Sequence, residues 1–366
     1  MEPTSDTVSY GETAVYRRPE TIHHSLTCFK DKDIRTLKDA VIRNFQNIPD
    51  SNFIGYRAPC DTGLEDKFTW LSYGKIEQMA RQLGSGIIAL NLAPTVQEYQ
   101  HYKMNFIGIY AKNSMEYLLL DVASCLYGLT SVPIYDTLGE EATTFTFKIT
   151  NLSTIFLTLE HLNGIAELIK SGNASRLKNV VVLDTITHNP DEIEKILSEY
   201  KSKMKGINFY GLREIMELGE SKGIQPYPQV DSEDIYMLSF TSGTTGEPKG
   251  AMLSHRNVLS ILGNNWMNDI RKKVPDLFVY LSYLPLAHIA ERALWTYTLM
   301  LGGQAGVYNG DTLKLKEDLA ILKPTAFLSV PRLFNKFYDV IQGQFRDATG
   351  VKKWLIDKAV SAKLEN

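Results

Sequence analysis

Short apolar runs alternate along the chain with longer segments in which apolar residues recur every three or four positions. The runs have the length of buried strands, and the longer segments have the spacing of helices that pack by one face. We predict strands at Phe106–Ala111, Ser131–Tyr135, Thr154–Thr158 and Val180–Leu183. Regular alternation of strand and helix favours crossover connections. The pattern therefore predicts an α/β fold with parallel or mixed β-sheets flanked by helices.

Residues suited to helix ends mark where several helices begin. Ser72 is suited to cap a helix. Its predicted inner stripe consists of Ile76, Met79, Ala80, Leu83 and Ile87. Asn113 with Glu116 three residues later has the spacing of a capping box. Ser254 is a suitable cap for a helix that follows the glycine-rich residues 241–250. Pro331 stands where a first helical residue belongs.

Composition and pattern divide the chain into three parts. Residues 1–35 show no period and are predicted to be a loose N-terminal segment. Residues 36–228 are predicted to form a first α/β subdomain, which ends at the proline-rich connector Gln225–Pro228. Residues 229–366 are predicted to form a second α/β subdomain, in which Thr325–Val330 reads as a strand.

A run rich in glycine and hydroxyl side chains, residues 241–250, follows the apolar segment Ile235–Phe240. Glycine lets the backbone turn its N–H groups toward an anion, and Lys249 adds a mobile positive charge. A flexible linker has a similar composition, but this run lies between a strand-like and a helix-like segment. A nucleotide P-loop needs G-x-x-x-x-G-K-[ST], which the spacing after Gly246 does not match. The run therefore predicts a phosphate-binding loop of another kind.

Charge and composition narrow the class of protein. The 366 residues carry a net charge of −3, which gives no general attraction to nucleic acid. No apolar segment reaches the ~18 residues of a membrane span, so we expect at most peripheral membrane contact. The three cysteines (Cys28, Cys60 and Cys125) are sparse and form no C-x-x-C pair, which predicts a reducing compartment and no zinc site.

A second candidate stretch, Tyr283–Arg292, places His288 between a predicted strand and a predicted helix. A histidine at such a junction can face a ligand, although a lone histidine is more often a satisfied structural residue. The residues by themselves leave both interpretations open.

Residues 240–250 read Phe-Thr-Ser-Gly-Thr-Thr-Gly-Glu-Pro-Lys-Gly and resemble the signature of the adenylate-forming, or AMP-binding, superfamily. Residues 284–292 read L-P-L-A-H-I-A-E-R and resemble a second motif of that superfamily, in the form typical of its long-chain fatty acyl-CoA synthetase branch. Residues 130–139, 308–311 and 323–335 are similar to the same branch. The resemblance runs from about residue 35 onward, with the motifs in the family's order.

The resemblance implies roles for particular residues. The β- and γ-phosphates of ATP would be held by Ser242, Gly243, Thr244, Thr245, Gly246 and Lys249. Thr241 would help to bind Mg²⁺, and His288 would lie near the acyl group and the α-phosphate. Gly302 and Gly303 would line the acyl tunnel. For Trp295, tunnel lining and plain core packing both stay open.

By the same resemblance the function is expected to be that of a long-chain fatty acid–CoA ligase. The substrates would be a fatty acid, ATP and coenzyme A, with Mg²⁺ as the metal. The expected location is the cytoplasm or the cytosolic face of the endoplasmic reticulum, mitochondrion or peroxisome.

Several parts of the family's pattern are not found between Gly303 and Asn366. They are the Y-G-x-[ST]-E motif, the basic hinge and the small C-terminal domain with its lysine. We therefore expect the sequence to cover the N-terminal portion of such an enzyme. Two other hypotheses stay open: a catalytically incomplete fragment, and another adenylate-forming ligase, against which the L-P-L-x-H-x-x-E-R form counts.

Overall fold

The computed structural model describes residues 2–3, 16–17, 33–60, 63–98, 102–135, 140–241, 249–262 and 277–364. The chain divides into two compact units, residues 1–326 and 327–366. The strands are β1 Glu2–Pro3, β2 Tyr16–Arg17, β3 Asn52–Tyr56, β4 Pro59–Cys60, β5 Gly63–Leu64, β6 Thr69–Ser72, β7 Thr95–Glu98, β8 Tyr102–Tyr110, β9 Thr130–Pro133, β10 Thr154–Leu157, β11 Asn179–Val182, β12 Asn208–Gly211, β13 Ile235–Thr241, β14 Lys249–Ser254, β15 Val279–Ser282 and β16 Gln304–Val307. The helices of the first unit are α1 Leu37–Asn47, α2 Tyr73–Ala89, α3 Met115–Tyr127, α4 Glu140–Thr150, α5 Leu162–Lys170, α6 Pro190–Lys203, α7 Leu212–Lys222, α8 His255–Leu262, α9 Ile289–Leu301 and α10 Leu315–Leu322.

The larger sheet has the order β12-β11-β10-β8-β9-β13-β14. Its strands pair in parallel from β12 to β13, and β14 pairs antiparallel with β13 at the end of that row. Strand β7 pairs antiparallel with β8. The sheet is mixed, as expected for a doubly covered α/β sheet that carries an antiparallel strand at its edge. The predicted fold class is confirmed.

A smaller sheet has the order β15-β16-β3-β6, with two parallel pairs and one antiparallel pair. Strands β3 and β6 precede residue 228, whereas β15 and β16 follow it. Each sheet therefore draws strands from both sides of the proline-rich connector. The subdomain division at residue 228 stays a prediction.

Two apolar clusters cover opposite faces of the larger sheet. Phe156 on β10 and Val181 on β11 belong to one cluster, whereas Ile155 and Val180 belong to the other. Adjacent residues of a strand point to opposite faces, so the two clusters lie on the two sides of the sheet. Helix α3 is part of the first cluster, and all of its residues are buried.

Helices α2 and α7 approach closely through two glycines. A Cβ atom on Gly86 would lie 2.0 Å from the carbonyl oxygen of Ile215. A Cβ atom on Gly219 would lie 2.0 Å from the carbonyl oxygen of Gln82. Only residues without a side chain allow this backbone-to-backbone contact.

Several predicted helix starts are confirmed. The hydroxyl of Ser72 accepts the N–H of Lys75 at 3.2 Å, and the five residues predicted for the inner stripe of α2 are buried. The hydroxyl of Ser254 accepts the N–H of Asn257 at 3.2 Å at the start of α8. In the second unit, α11 (Pro331–Asp347) begins at the predicted proline and α12 spans Gly350–Leu364.

Two local predictions are wrong. Ser114, not Asn113, caps α3, since its hydroxyl accepts the N–H of Tyr117 at 3.1 Å. The predicted strand Thr325–Val330 forms a single bridge, between Tyr280 and Ala326. The Thr325 hydroxyl, in place of a backbone carbonyl, accepts the N–H of Val279 at 2.8 Å. The ladder of backbone hydrogen bonds with β15 therefore does not continue.

The second unit has large apolar side chains on its surface. The exposed ones on α11 and α12 include Phe334, Tyr338, Val340, Ile341, Trp354 and Leu355. None of the described helices combines the length and the apolar character needed to cross a bilayer.

Candidate active site

The β13–β14 hairpin carries the predicted phosphate loop. Thr241 and Lys249 are register partners at the loop end of the hairpin, so the backbones at the two ends of the loop lie side by side. The Lys249 side chain is exposed. Ser242, Gly243, Thr244, Thr245 and Gly246 lie outside the described residues, and their phosphate-binding roles stay predictions. The structure brings the proposed cation and the proposed Mg²⁺ ligand to the same end of one hairpin.

His255, the first residue of α8, ties this hairpin to the N-terminal helix. It is buried, and its Nδ1 accepts the N–H of Leu37 at 3.3 Å. An N–H at the start of a helix has no partner within that helix, so His255 satisfies one such group of α1. Burial lowers the pKa of His255 from its ordinary 6.5 to about 4. The ring is neutral in the folded protein, and its proton is on Nε2 because Nδ1 is the acceptor.

Stability is expected to fall on mild acidification because of His255. The unfolded chain binds a proton on this residue near pH 6.5 while the folded chain does not until about pH 4. The stabilising contribution is thus fully present above pH 6.5 and is lost as the pH falls toward 4. The expected loss between pH 7.5 and pH 5 is about 2 kcal/mol, measured by urea denaturation at each pH.

The matched variant is His255→Asn, whose side-chain oxygen can accept the Leu37 N–H but does not titrate in this range. It should be less stable than wild type at pH 7.5 and show a flatter dependence on pH. Equal pH dependence in the two proteins would contradict a buried neutral His255.

His288 caps α9. Its Nδ1 accepts the N–H of Ala290 at 3.1 Å, its own carbonyl accepts the N–H of Arg292 at 3.0 Å, and the residue is exposed. A neutral ring in this arrangement carries its proton on Nε2, which is not used in the cap. The structural interpretation and the ligand-facing interpretation of His288 are therefore compatible with each other.

Buried polar side chains hold the turn that precedes His288. Asn113 donates to the carbonyl of Leu284 at 2.7 Å and accepts the N–H of Leu286 at 2.9 Å. Glu291 accepts the hydroxyl of Ser282 at 2.6 Å. Burial raises the pKa of Glu291 to about 8, although the Ser282 hydroxyl acts in the opposite direction. The Glu291 side chain thus serves as a buried hydrogen-bonding group within the fold.

Four buried side chains, Asp121, Tyr236, Arg292 and Trp295, form what we call the Asp121 cluster. Asp121 of α3 accepts hydrogen bonds from Arg292 Nη1, from the Tyr236 hydroxyl and, at 2.7 Å, from Trp295 Nε1. Arg292 Nη1 also donates to the Tyr236 hydroxyl at 3.0 Å. Tyr236 lies on β13, and Arg292 and Trp295 lie on α9. The cluster joins the strand that enters the phosphate loop to the helix that follows His288.

Comparison with known proteins identifies the family. The pattern of the AMP-binding enzyme family matches residues 51–365. The chain belongs to the AMP-binding enzyme family.

Curated relatives of this chain include long-chain ligases. Long-chain-fatty-acid–CoA ligase 5 of Rattus norvegicus is 31% identical over 344 residues, which are 93% of this chain and 47% of the ligase. Long chain acyl-CoA synthetase 7, peroxisomal, of Arabidopsis thaliana is 31% identical over 354 residues, which are 96% of this chain and 47% of the synthetase. The chain spans about half the length of the curated relatives it matches.

Solved structures show the same fold. The adenylation domain of the carboxylate reductase of Mycobacterium chelonae superposes with a TM-score of 0.73 at 21% identity, covering 88% of this chain and 50% of that one. The corresponding domain from Segniliparus rugosus, solved with AMP and a co-purified carboxylic acid, has a TM-score of 0.72 at 23% identity, covering 88% of this chain and 53% of that one.

The residues predicted for the acyl pocket lie in α9 and at its two ends. Trp295 is fully buried, and its indole stacks on Phe53 with ring centroids 5.6 Å apart, a placement that fits core packing. Gly302 ends α9 in the left-handed conformation with φ 70°. The carbonyl of Gly303 accepts the hydroxyl of Tyr73 at 2.7 Å. Tunnel lining by these residues stays a prediction.

A cavity of about 520 Å³ lies at the carboxyl ends of strands from both sheets. Its lining includes the acidic side chains of Glu116, Glu160, Asp184, Glu192 and Asp311, together with Arg57, Lys112 and His188. Burial raises the pKa of the Glu116 and Asp184 carboxyls. The lining therefore combines carboxyl and basic groups.

Asp121 and the internal bonds of Asn113 and Glu291 were not predicted from the sequence. A usable signal existed for Asp121, because it is a carboxylate inside a helical segment that is otherwise almost entirely apolar. Such a residue is rarely fully buried unless it is paired. The partner could not be read from the sequence, since Arg292 is 171 residues away.

Proposed function

We propose that this chain is the phosphate-binding N-terminal portion of a long-chain fatty acid–CoA ligase. The observation that supports the proposal best is the β13–β14 hairpin, which sets Thr241 and Lys249 at the two ends of a glycine- and hydroxyl-rich loop. A loop of that composition offers backbone N–H groups and one lysine to a polyphosphate. The relatives named as long-chain ligases favour a fatty acid as the second substrate.

The first step of the proposed reaction forms an acyl-adenylate. A carboxylate oxygen of the fatty acid attacks the α-phosphorus of ATP, the bond from that phosphorus to the bridging oxygen breaks, and pyrophosphate leaves. An anion attacks a polyanion here, so positive charge next to the leaving group lowers the barrier. Lys249 is the residue proposed to supply that charge.

The second step forms the thioester. The sulfur of coenzyme A attacks the acyl carbonyl, the carbon–oxygen bond to AMP breaks, and the thiol loses its proton. His288 is proposed to lie beside the acyl and α-phosphate groups. Because Nδ1 is occupied by the helix cap, only its Nε2 is available to donate or accept a hydrogen bond there.

Mg²⁺ is expected to accompany ATP as the metal–nucleotide complex. Within the described ranges, no three His, Cys, Asp or Glu side chains cluster so as to hold a metal ion. The described residues therefore do not form a metal site of their own. Neither of the two steps above depends on a metal site in the protein. The role of Thr241 as a Mg²⁺ ligand stays a prediction, and so does the location in the cytoplasm or on the cytosolic face of an intracellular membrane.

A second candidate is a catalytically incomplete fragment. It is favoured by one observation, namely that the chain spans about half the length of the relatives it matches. The two candidates differ in whether this chain alone forms the adenylate.

Exchange of radiolabelled pyrophosphate into ATP tests the proposal on the 366-residue chain, with Mg²⁺ and with or without palmitate. We expect palmitate-dependent exchange that Lys249→Ala lowers about 100-fold, because one preorganised charge at the leaving group contributes about that much. Lys316→Ala, which removes an exposed lysine from α10, is the matched control and should exchange like wild type. Absence of exchange from a folded wild-type chain would favour the incomplete fragment.

A further inference from the structure

The Asp121 cluster is costly for the fold, which raises the question of what it does. The side chains of Asp121 and Arg292 are both fully buried, and each carries a formal charge. Removing two charges from water is costly even when they pair with each other, and well-packed apolar side chains often stabilise a fold as well or better. The best-attested use of such a pair is to specify one arrangement of the elements that it joins.

The elements joined are those that carry the two sequence motifs. Tyr236 lies five residues before Thr241 on the same strand, β13. Arg292 lies one helical turn after His288, to whose carbonyl its own N–H is bonded at 3.0 Å. Asp121 binds both side chains from a third element, α3, every residue of which is buried. One carboxylate is therefore the shared contact of both motif-bearing elements.

A small rotation of β13 at the Tyr236 contact is amplified into a larger displacement at the far end of the strand. Five residues of strand span about 16 Å, so a rotation of roughly 4° at Tyr236 moves the entrance of the phosphate loop by about 1 Å. A misplacement of about 1 Å between reacting groups can cost on the order of 100-fold in rate. In-line attack by a carboxylate on the α-phosphorus is sensitive to such a shift.

We propose that Asp121 is a positioning residue that sets the strand entering the phosphate loop relative to the helix that begins at His288. The inference rests on the proposed function for its effect on catalysis. The side chain of Asp121 is fully buried, so it acts through the Tyr236 hydroxyl on one side and through Arg292 and Trp295 on the other.

The variant that tests the proposal is Tyr236→Phe, which removes one hydroxyl and leaves the bonds of Asp121 to Arg292 and Trp295. The matched control is Tyr127→Phe. Tyr127 is also buried, and its hydroxyl donates to the carbonyl of Gln225 at 3.0 Å, away from both motifs. Both variants lose a buried hydroxyl, and Tyr236→Phe should lose more stability because the partners of its hydroxyl are charged, whereas the Tyr127 hydroxyl bonds to a neutral carbonyl.

Two measurements are made on both variants and on wild type. The first is pyrophosphate exchange, for which Tyr236→Phe should lower kcat about 10-fold with KM for ATP within about twofold, whereas Tyr127→Phe should lower neither. A split between kcat and KM separates positioning from plain loss of stability. The second is ligand-free amide hydrogen exchange, in which Tyr236→Phe should speed exchange in β13 and also at residues 289–292.

Three results would each bear directly on the proposed role of Asp121. Faster exchange that stays within β13, or a pattern matching that of Tyr127→Phe, overturns the proposal. A Tyr236→Phe variant with unchanged kcat at saturating substrates overturns it as well. If the wild-type chain gives no pyrophosphate exchange, the proposed function fails for this chain alone, and the ligand-free measurement still decides whether Asp121 couples the two elements.

Discussion

Replacing Asp121 with alanine is expected to lower the free energy of unfolding by about 3–5 kcal/mol. The substitution leaves the Arg292 guanidinium buried without its counter-charge, and it also removes the acceptor of the Trp295 indole N–H and the Tyr236 hydroxyl. An uncompensated buried charge is more costly than the lost hydrogen bonds, because its full desolvation remains. Urea denaturation of the variant and of wild type at pH 7.5 measures the difference.

Two further variants show whether the loss comes from the unpaired charge. The double variant Asp121→Leu with Arg292→Met removes both charges and should recover at least about 2 kcal/mol relative to Asp121→Ala. Glu199→Ala removes an exposed carboxylate that pairs with Lys203 at 3.4 Å, and should cost at most about 0.5 kcal/mol. A loss below about 1 kcal/mol for Asp121→Ala would show that Arg292 is not a buried, charged partner.

Replacing Gly219 with alanine is expected to destabilise the first unit by about 3 kcal/mol, at the upper end of the range for overpacking. The added Cβ would lie 2.0 Å from the Gln82 carbonyl oxygen and 2.6 Å from the Gly86 nitrogen. Both are backbone atoms of α2, so no side-chain rotation relieves the clash and the two helices must separate. The thermal unfolding midpoint and the free energy of unfolding in urea both report the loss.

The matched control is Gly164→Ala in α5. A Cβ at Gly164 meets no atom within 4 Å, and alanine favours the helix over glycine. This variant should be as stable as wild type or more stable by up to about 1 kcal/mol. Similar destabilisation by both substitutions would contradict the close contact between α2 and α7.

Predictions that depend on one segment of sequence were confirmed most often. The α2 helix is an example, because its cap at Ser72 and its apolar stripe are both local features. The start of α11 at Pro331 is another. Local competition explains one miss: Asn113 and Ser114 are both good caps, and the structure uses Ser114 because Asn113 is bonded to the turn at Leu284.

Predictions that depend on distant partners could not be made from the sequence. The pattern indicates that Ile54 and Ala305 are apolar, but not that β3 lies beside β16. The candidate site shows the same limit. The two motifs identify Lys249 and His288, whereas the carboxylate joining their elements lies more than 100 residues away from either. Its partners are set by tertiary packing, which no spacing along the chain records.

Because Cys125 is buried, its rate of alkylation can measure how often the core opens. Cys125 lies one turn after Asp121 on α3 and is fully buried, whereas Cys60 is exposed. Burial raises the pKa of the Cys125 thiol, and only a thiolate reacts readily with alkylating reagents. In a Cys28→Ser, Cys60→Ser background, the rate at which Cys125 is alkylated in native buffer therefore follows how often this helix becomes accessible. The alkylation rate of a single thiol would thus report how often the native core opens, without denaturant or substrate.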